Sequence, residues 1–223
     1  MIASPNKTKR VKKTVATPIN RSLRFTPYAM AKLLYLRDIG PTEVGGFGLS
    51  NANVLLLVED IQLVEQVCSV VSVEFDDDSV ADFFDQQVDS GRQPEQFARI
   101  WIQPHPAASP FPSVTDEETF ERSFGGVDWA VMHIIAEEGN TCTRARFNVG
   151  PGTEWRLRSR VEFAHQFPAA DHESWFIEYC DNVTVSDPFA SDRALLETCD
   201  SDWWEHAPLA TDRWRDNLSE AVS

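Results

Sequence analysis

The chain has 223 residues, 42% apolar and 25% charged, the balance of an ordinary soluble globular protein with length for one good core, or for one domain with an extension. No run approaches the roughly 20 apolar residues that cross a bilayer, and the basic N-terminus has no apolar segment behind it, which speaks against a secretory signal. The formal charge of −15 is unevenly spread: residues 1–37 hold nine basic residues and no acid, leaving eleven basic residues against all 35 acidic ones, a balance of −24 that repels nucleic acid and phosphate-rich membranes.

Residues 1–20 read as a flexible basic leader, and a first strand is expected around Ser22 to Phe25. Thr26-Pro27 is a helix start, because Thr can cap and Pro suits the first helical position. Ala29, Leu33 and Leu36 then follow helical spacing up to Gly40-Pro41. Thr42 to Ser50 is small and glycine-rich. It is not a phosphate loop, since no Lys-Ser or Lys-Thr follows. Val54 to Val58 and Leu63 to Phe75 are apolar and β-branched and predict strands, with Glu59-Asp60 between them. Asp76-Asp77-Asp78 opens a helical face through Val80, Phe83, Phe84 and Val88, closed by Ser90-Gly91.

Phe97, Ile100, Trp101 and Ile102 lead into a second loop, Gln103 to Asp116, with Pro104, Pro106, Pro110 and Pro112 in it. An acidic helix is expected from Asp116 to Phe124, stopped by Gly125-Gly126. Val127 to Glu137 predicts a long strand that carries His133, and Glu138-Gly139-Asn140 turns it into Thr141 to Val149. There Cys142, Arg144 and Arg146 alternate with Thr143, Ala145 and Phe147. Gly150-Pro151-Gly152 closes this unit, so the main domain is set at 21–152. Residues 153–223 form a C-terminal extension, packed on the domain or used for a partner. In it Asp171-His172-Glu173 marks an exposed turn, Ser174 to Val185 a further strand, and Leu195, Leu196, Trp203, Trp204 and Trp214 an amphipathic segment.

Cys68, Cys142, Cys180 and Cys199 form no CxxC pair, which argues against a zinc ribbon or a disulfide scaffold and for reduced thiols in a cytoplasmic protein. All five lysines lie at or before Lys32. No G-x-S-x-G nucleophile elbow is present.

Gln103, His105, Ser113 and Asp116 stand at offsets 0, 2, 10 and 13, and Glu43-Val44-Gly45-Gly46 follows the first helix. This combination resembles the H-x-H-(seven)-S-x-x-D signature of the JAMM metalloproteases, the JAB or MPN domain, with their upstream glutamate. The stretch Pro112 to Phe120 is similar to bacterial members that travel with ubiquitin-like modifier systems. The resemblance covers roughly residues 22–150. It implies an α/β fold with cytidine-deaminase-like layering: a curved mixed sheet flanked by helices, here with the C-terminal extension.

The resemblance also implies roles. His105 and Asp116 would ligate zinc, with Gln103 at the remaining ligand position. Glu43 would take a proton from the attacking water and give it to the leaving amine, and Ser113 would donate a hydrogen bond to the oxyanion. The chain departs from the family at Gln103, where the first histidine of the signature is expected. Glutamine offers only a neutral amide oxygen, a weak ligand for zinc. Two functions therefore stand. One is a zinc-dependent isopeptidase or peptidase acting at the C-terminus of a ubiquitin-like protein, weakened by Gln103. The other is a catalytically silent module that recruits such a modifier or a conjugation-system protein.

Overall fold

The chain enters its first strand, β1, at Ser22–Phe25 and turns at once into helix α1, Pro27–Asp38. This is a computed structural model, and it describes residues 22–186. The leader expected over 1–20, and Leu195, Leu196, Cys199, Trp203, Trp204 and Trp214, lie outside the described residues. Thr26 caps α1 by accepting from the Ala29 amide, and Pro27 takes the first turn, where its missing N–H costs nothing. Ala29, Leu33 and Leu36 form the buried stripe. Lys32 is buried with them, which is tolerable because its Nζ meets Glu178 at 2.5 Å and Asp60 at 3.4 Å.

Strands β2 (Gly46–Asn51) and β3 (Val54–Gln62) form an antiparallel hairpin with a register shift after Leu49. Glu59 and Asp60, expected to separate two strands, lie inside β3. Their carboxylates are half-buried and take donors from Asn51 and from Lys32, so the strand accommodates them. The apolar stretch beyond is shorter in strand than expected. β4 (Gln66–Cys68) and β5 (Val73–Phe75) pair with each other in a small second sheet. Helix α2 (Asp77–Asp89) starts on Asp76, whose side chain accepts from the Ser79 amide. A four-residue helix α3 (Pro94–Phe97) then delivers the chain to β6 (Ile100–Pro104). Helix α4 (Val114–Phe124), β7 (Trp129–Ile135) and β8 (Thr141–Phe147) follow in the expected order.

The main sheet does not stop at residue 152. Strands β9 (Thr153–Arg156) and β10 (Arg158–Val161) extend the order to β10-β1-β3-β2-β6-β7-β8-β9. One continuous segment thus pairs antiparallel with β8 in its first half and parallel with β1 in its second. The Leu157 amide still donates to Thr143 between the two halves. The result is a mixed, nearly closed sheet flanked by helices. The face that carries Phe47 and Trp101 is covered by α2 and α4: Phe47 packs on Phe83 and Phe124, and Trp101 stacks on Phe120 and Phe124. On β8, Arg144 and Arg146 point to α4, where they lie over the Phe120 ring and pair with Glu117 and Glu121. The alternation read from the sequence is therefore real.

Residues 174–185, expected as a strand, are mostly helix α5 (His172–Asn182), and only Val183–Val185 forms a strand, β11, beside β4. Asp171-His172-Glu173, expected as an exposed turn, is the cap and first turn of that helix: Asp171 accepts from the Ser174 amide. The physical reason is a stripe four residues apart. Trp175 and Tyr179 are the buried residues of α5. Trp175 packs on Tyr28 and Tyr35 of α1 and donates to the Tyr28 hydroxyl. Among the described cysteines, Cys68 and Cys142 are free, and no described helix is long and apolar enough to cross a membrane.

Candidate metal centre

Each site residue is delivered by a different local device. Glu43 stands in the linker between α1 and β2. Its amide donates to the Ser69 carbonyl at 3.0 Å, and the Val44 amide to Pro104 at 3.4 Å, so the linker is held between the β4–β5 turn and the end of β6. Gly45 is gripped by the Gln66 side chain, which accepts from its amide at 2.7 Å and donates to its carbonyl at 2.8 Å. A side chain at Gly45 has no room: a Cβ there would lie 2.6 Å from Phe75 Cζ, and one at Gly46 2.8 Å from Ile61 Cγ2. The Gly-Gly pair is thus a close backbone crossing that fixes where Glu43 points.

Gln103 and Pro104 end β6, paired with Ile134 and Ile135 of β7. Gln103 lies two residues from Trp101, on the face turned to α4. Pro104 has no N–H, but the next amide, of His105, donates to Ile135 at 2.8 Å and keeps the chain on β7. His105 Nδ1 lies 3.2 Å from the Ser109 carbonyl. A carbonyl only accepts, so Nδ1 carries the proton and Nε2 presents its lone pair. Asp116 is fixed by a capping box: Ser113 Oγ accepts from the Asp116 amide at 3.1 Å, and Asp116 Oδ2 accepts from the Ser113 amide at 2.6 Å.

The four residues meet. Glu43, His105 and Asp116 are all buried and offer ligand atoms within 4.8 Å of one another, so this group can hold a metal ion. Gln103 is fully buried between them. Its Nε2 donates to Glu43 Oε2 at 3.0 Å and to Asp116 Oδ1 at 2.7 Å. His105 Nε2 lies 3.4 Å from Glu43 Oε1. Two of the cluster's buried polar atoms have no hydrogen-bond partner among the described residues: Gln103 Oε1 and His105 Nε2. Ser113 is exposed at the start of α4 and uses only an oxygen lone pair on its cap, so its hydroxyl proton is free to donate.

The electrostatics follow from burial. Glu43 is pushed up to about 8, by burial first and then by the Asp116 charge, with the Gln103 hydrogen bond pulling the other way. Burial holds His105 below the usual histidine value, while the Ser109 carbonyl and Asp116 pull it back up. At neutral pH the imidazole is therefore unprotonated and its Nε2 is available to a cation.

The structure groups Glu43 with the potential ligands, whereas the resemblance gives it a proton-transfer role beside them. His133 is not part of the cluster. It is fully buried on β7, against the Phe25 ring and 2.7 Å from Thr143 Oγ1. The support given by Gln66 and by the Ser109 carbonyl could not be read from the sequence, because neither carries a motif and both act through backbone contacts. Comparison with known proteins adds no assignment: no family model matches the chain, and no curated protein matches it significantly.

Proposed function

We propose that this chain is a metal-dependent peptidase of the JAMM type, hydrolysing a bond at the C-terminus of a ubiquitin-like protein or its conjugate. The reading is carried by one observation: Glu43, His105 and Asp116, far apart in sequence, meet in one buried group with an unpaired imidazole nitrogen. The donor set fits a divalent ion. His105 and Asp116 would hold it, with Gln103 Oε1, also unpaired, as the weak third ligand. The resemblance implies zinc, which when bound supplies Lewis acidity and lowers the pKa of water toward ~7.

The chain's own residues supply the rest. Glu43 carries the proton from the attacking water to the leaving amine. Its value of about 8 belongs to the cluster without a cation, and a positive charge beside it lowers that value toward the base form at neutral pH. Ser113 donates its free hydroxyl proton to the developing oxyanion. Exposed Val70 and Val71 on the turn bound to Glu43, with Phe111 and Val114 flanking Ser113, give apolar walls suited to an extended peptide.

A second reading, a catalytically silent module that binds a modifier or a conjugation-system protein, is favoured by the two bonds from Gln103 to both carboxyls. They hold the two carboxyls together with no ion. Metal analysis of the purified protein, with cleavage of a modifier fusion assayed with and without chelator, separates the two. Stoichiometric zinc and chelator-sensitive cleavage are expected of the peptidase. Glu43→Gln should then lower cleavage by about 10²-fold or more while zinc stays bound. Unchanged cleavage in that variant sinks the mechanism.

A further inference from the structure

Two carboxyls buried side by side need either a cation or well-placed donors. Among the described residues, no lysine or arginine forms an ion pair with Glu43 or Asp116. The donor that reaches both is the Gln103 amide, and both of its N–H bonds are engaged, one on each acid. Among the described residues, Asp116 has one other donor, the Ser113 amide. The same Gln103 side chain leaves its oxygen bare in a fully buried position. The amide nitrogen is doubly satisfied while its oxygen, like the His105 imidazole nitrogen of the same cluster, is a buried lone-pair bearer with no hydrogen-bond partner among the described residues. A half-turn of the amide plane exchanges nitrogen for oxygen with no change in volume. An imidazole at this position could not bridge both acids from one nitrogen, because each ring nitrogen carries at most one N–H.

We propose that Gln103 is an internal stand-in for the cation: with no ion bound its NH₂ ties Glu43 to Asp116, and on ion entry the amide turns and offers Oε1 as a ligand. This rests on reading the cluster as a metal site, and it does not depend on which bond, if any, the protein cleaves. Two consequences follow. Chelation leaves the fold nearly as stable as before. Ion binding is weakened, because the two amide bonds must break first.

The test uses the full chain, stripped with chelator at pH 7, with zinc chloride as the probe. Gln103→Glu is nearly isosteric but removes both N–H donors and adds a third carboxylate. Stripped Gln103→Glu should melt about 4 °C or more below the stripped parent protein. Competition against a chromophoric chelator should give it at least about tenfold tighter zinc binding, and zinc should return its melting temperature to the parent value or above. Should stripped Gln103→Glu fail to fold, NMR of the parent protein decides. The Gln103 side-chain NH₂ protons should exchange slowly in chelator and lose that protection at saturating zinc. Fast exchange in chelator, or zinc binding by Gln103→Glu no tighter than by the parent, overturns the proposal. Zinc binding by neither protein removes it together with the metal site. A zinc-loaded protein that cleaves no modifier fusion removes the peptidase reading alone.

Discussion

Glu43 and His133 are both buried titratable groups, and they make stability depend on pH in opposite directions. The Glu43 carboxyl is raised from 4.5 to about 8, so the folded protein holds this proton more tightly than the unfolded chain. Its contribution is full below about 4.5 and is lost as pH rises through about 8. Chelated protein should therefore lose denaturant resistance between pH 5 and pH 8.5, and Glu43→Gln should flatten that limb. His133 is lowered from 6.5 to about 3 by burial; among the described residues its Nε2 has no partner and its Nδ1 meets the Thr143 hydroxyl. It stays neutral in the fold, while the unfolded chain takes up a proton below about 6.5. Its contribution is present above 6.5 and is lost as pH falls toward 3. Acid unfolding followed by circular dichroism should shift to lower pH in His133→Leu, and an unshifted midpoint would show that other groups set the acid limit.

At the scale of elements, the site depends on how tightly the linker after α1 is pressed against the β4–β5 hairpin. Gly45 has Phe75 Cζ, Phe75 Cε1 and Val73 Cγ1 all within 3.0 Å of where a Cβ would stand. Gly45→Ala must push β5 away or displace the linker. It should cost about 1–3 kcal/mol by denaturant unfolding and lower cleavage beyond what lost folding explains, because Glu43 and its anchor on Ser69 shift with it. Helix α4 shows a comparable economy. One capping box both starts the helix and fixes Asp116 for the cluster. Ser113→Ala should lower stability by about 1 kcal/mol through the lost cap. A drop in cleavage beyond what lost folding explains would report the oxyanion donor.

At the scale of the whole molecule, the segment 153–161 closes the sheet by bridging β8 and β1, and α5 lays Trp175 on α1 and Glu178 on buried Lys32. A chain cut after Gly152 would expose both edges of the main sheet and strip Lys32 of Glu178. Exposed edges template association, and buried Lys32 would keep only Asp60, at 3.4 Å. Size-exclusion chromatography of this truncation should show aggregate, and a stable monomer would mean that 22–152 is self-sufficient.

Periodicity and caps in the sequence were enough to determine β1, α1, α2, the β6-to-α4 passage and the β7–β8 hairpin. Those signals are local: a capping Thr or Asp, an apolar stripe, an alternation along one strand. The spacing of Gln103, His105, Ser113 and Asp116, with Glu43 upstream, also marked a candidate site. Only the tertiary structure decided the rest. Residues 172–182 are helix because Trp175 and Tyr179 find the aromatic face of α1, a contact between elements more than a hundred residues apart. Residues 153–161 are strand because two open edges lie within reach of one segment. Gln103 read in sequence as a missing histidine. In the fold it is the donor that joins Glu43 to Asp116, because which buried acids share one amide depends on the distances between side chains, and sequence spacing does not carry those.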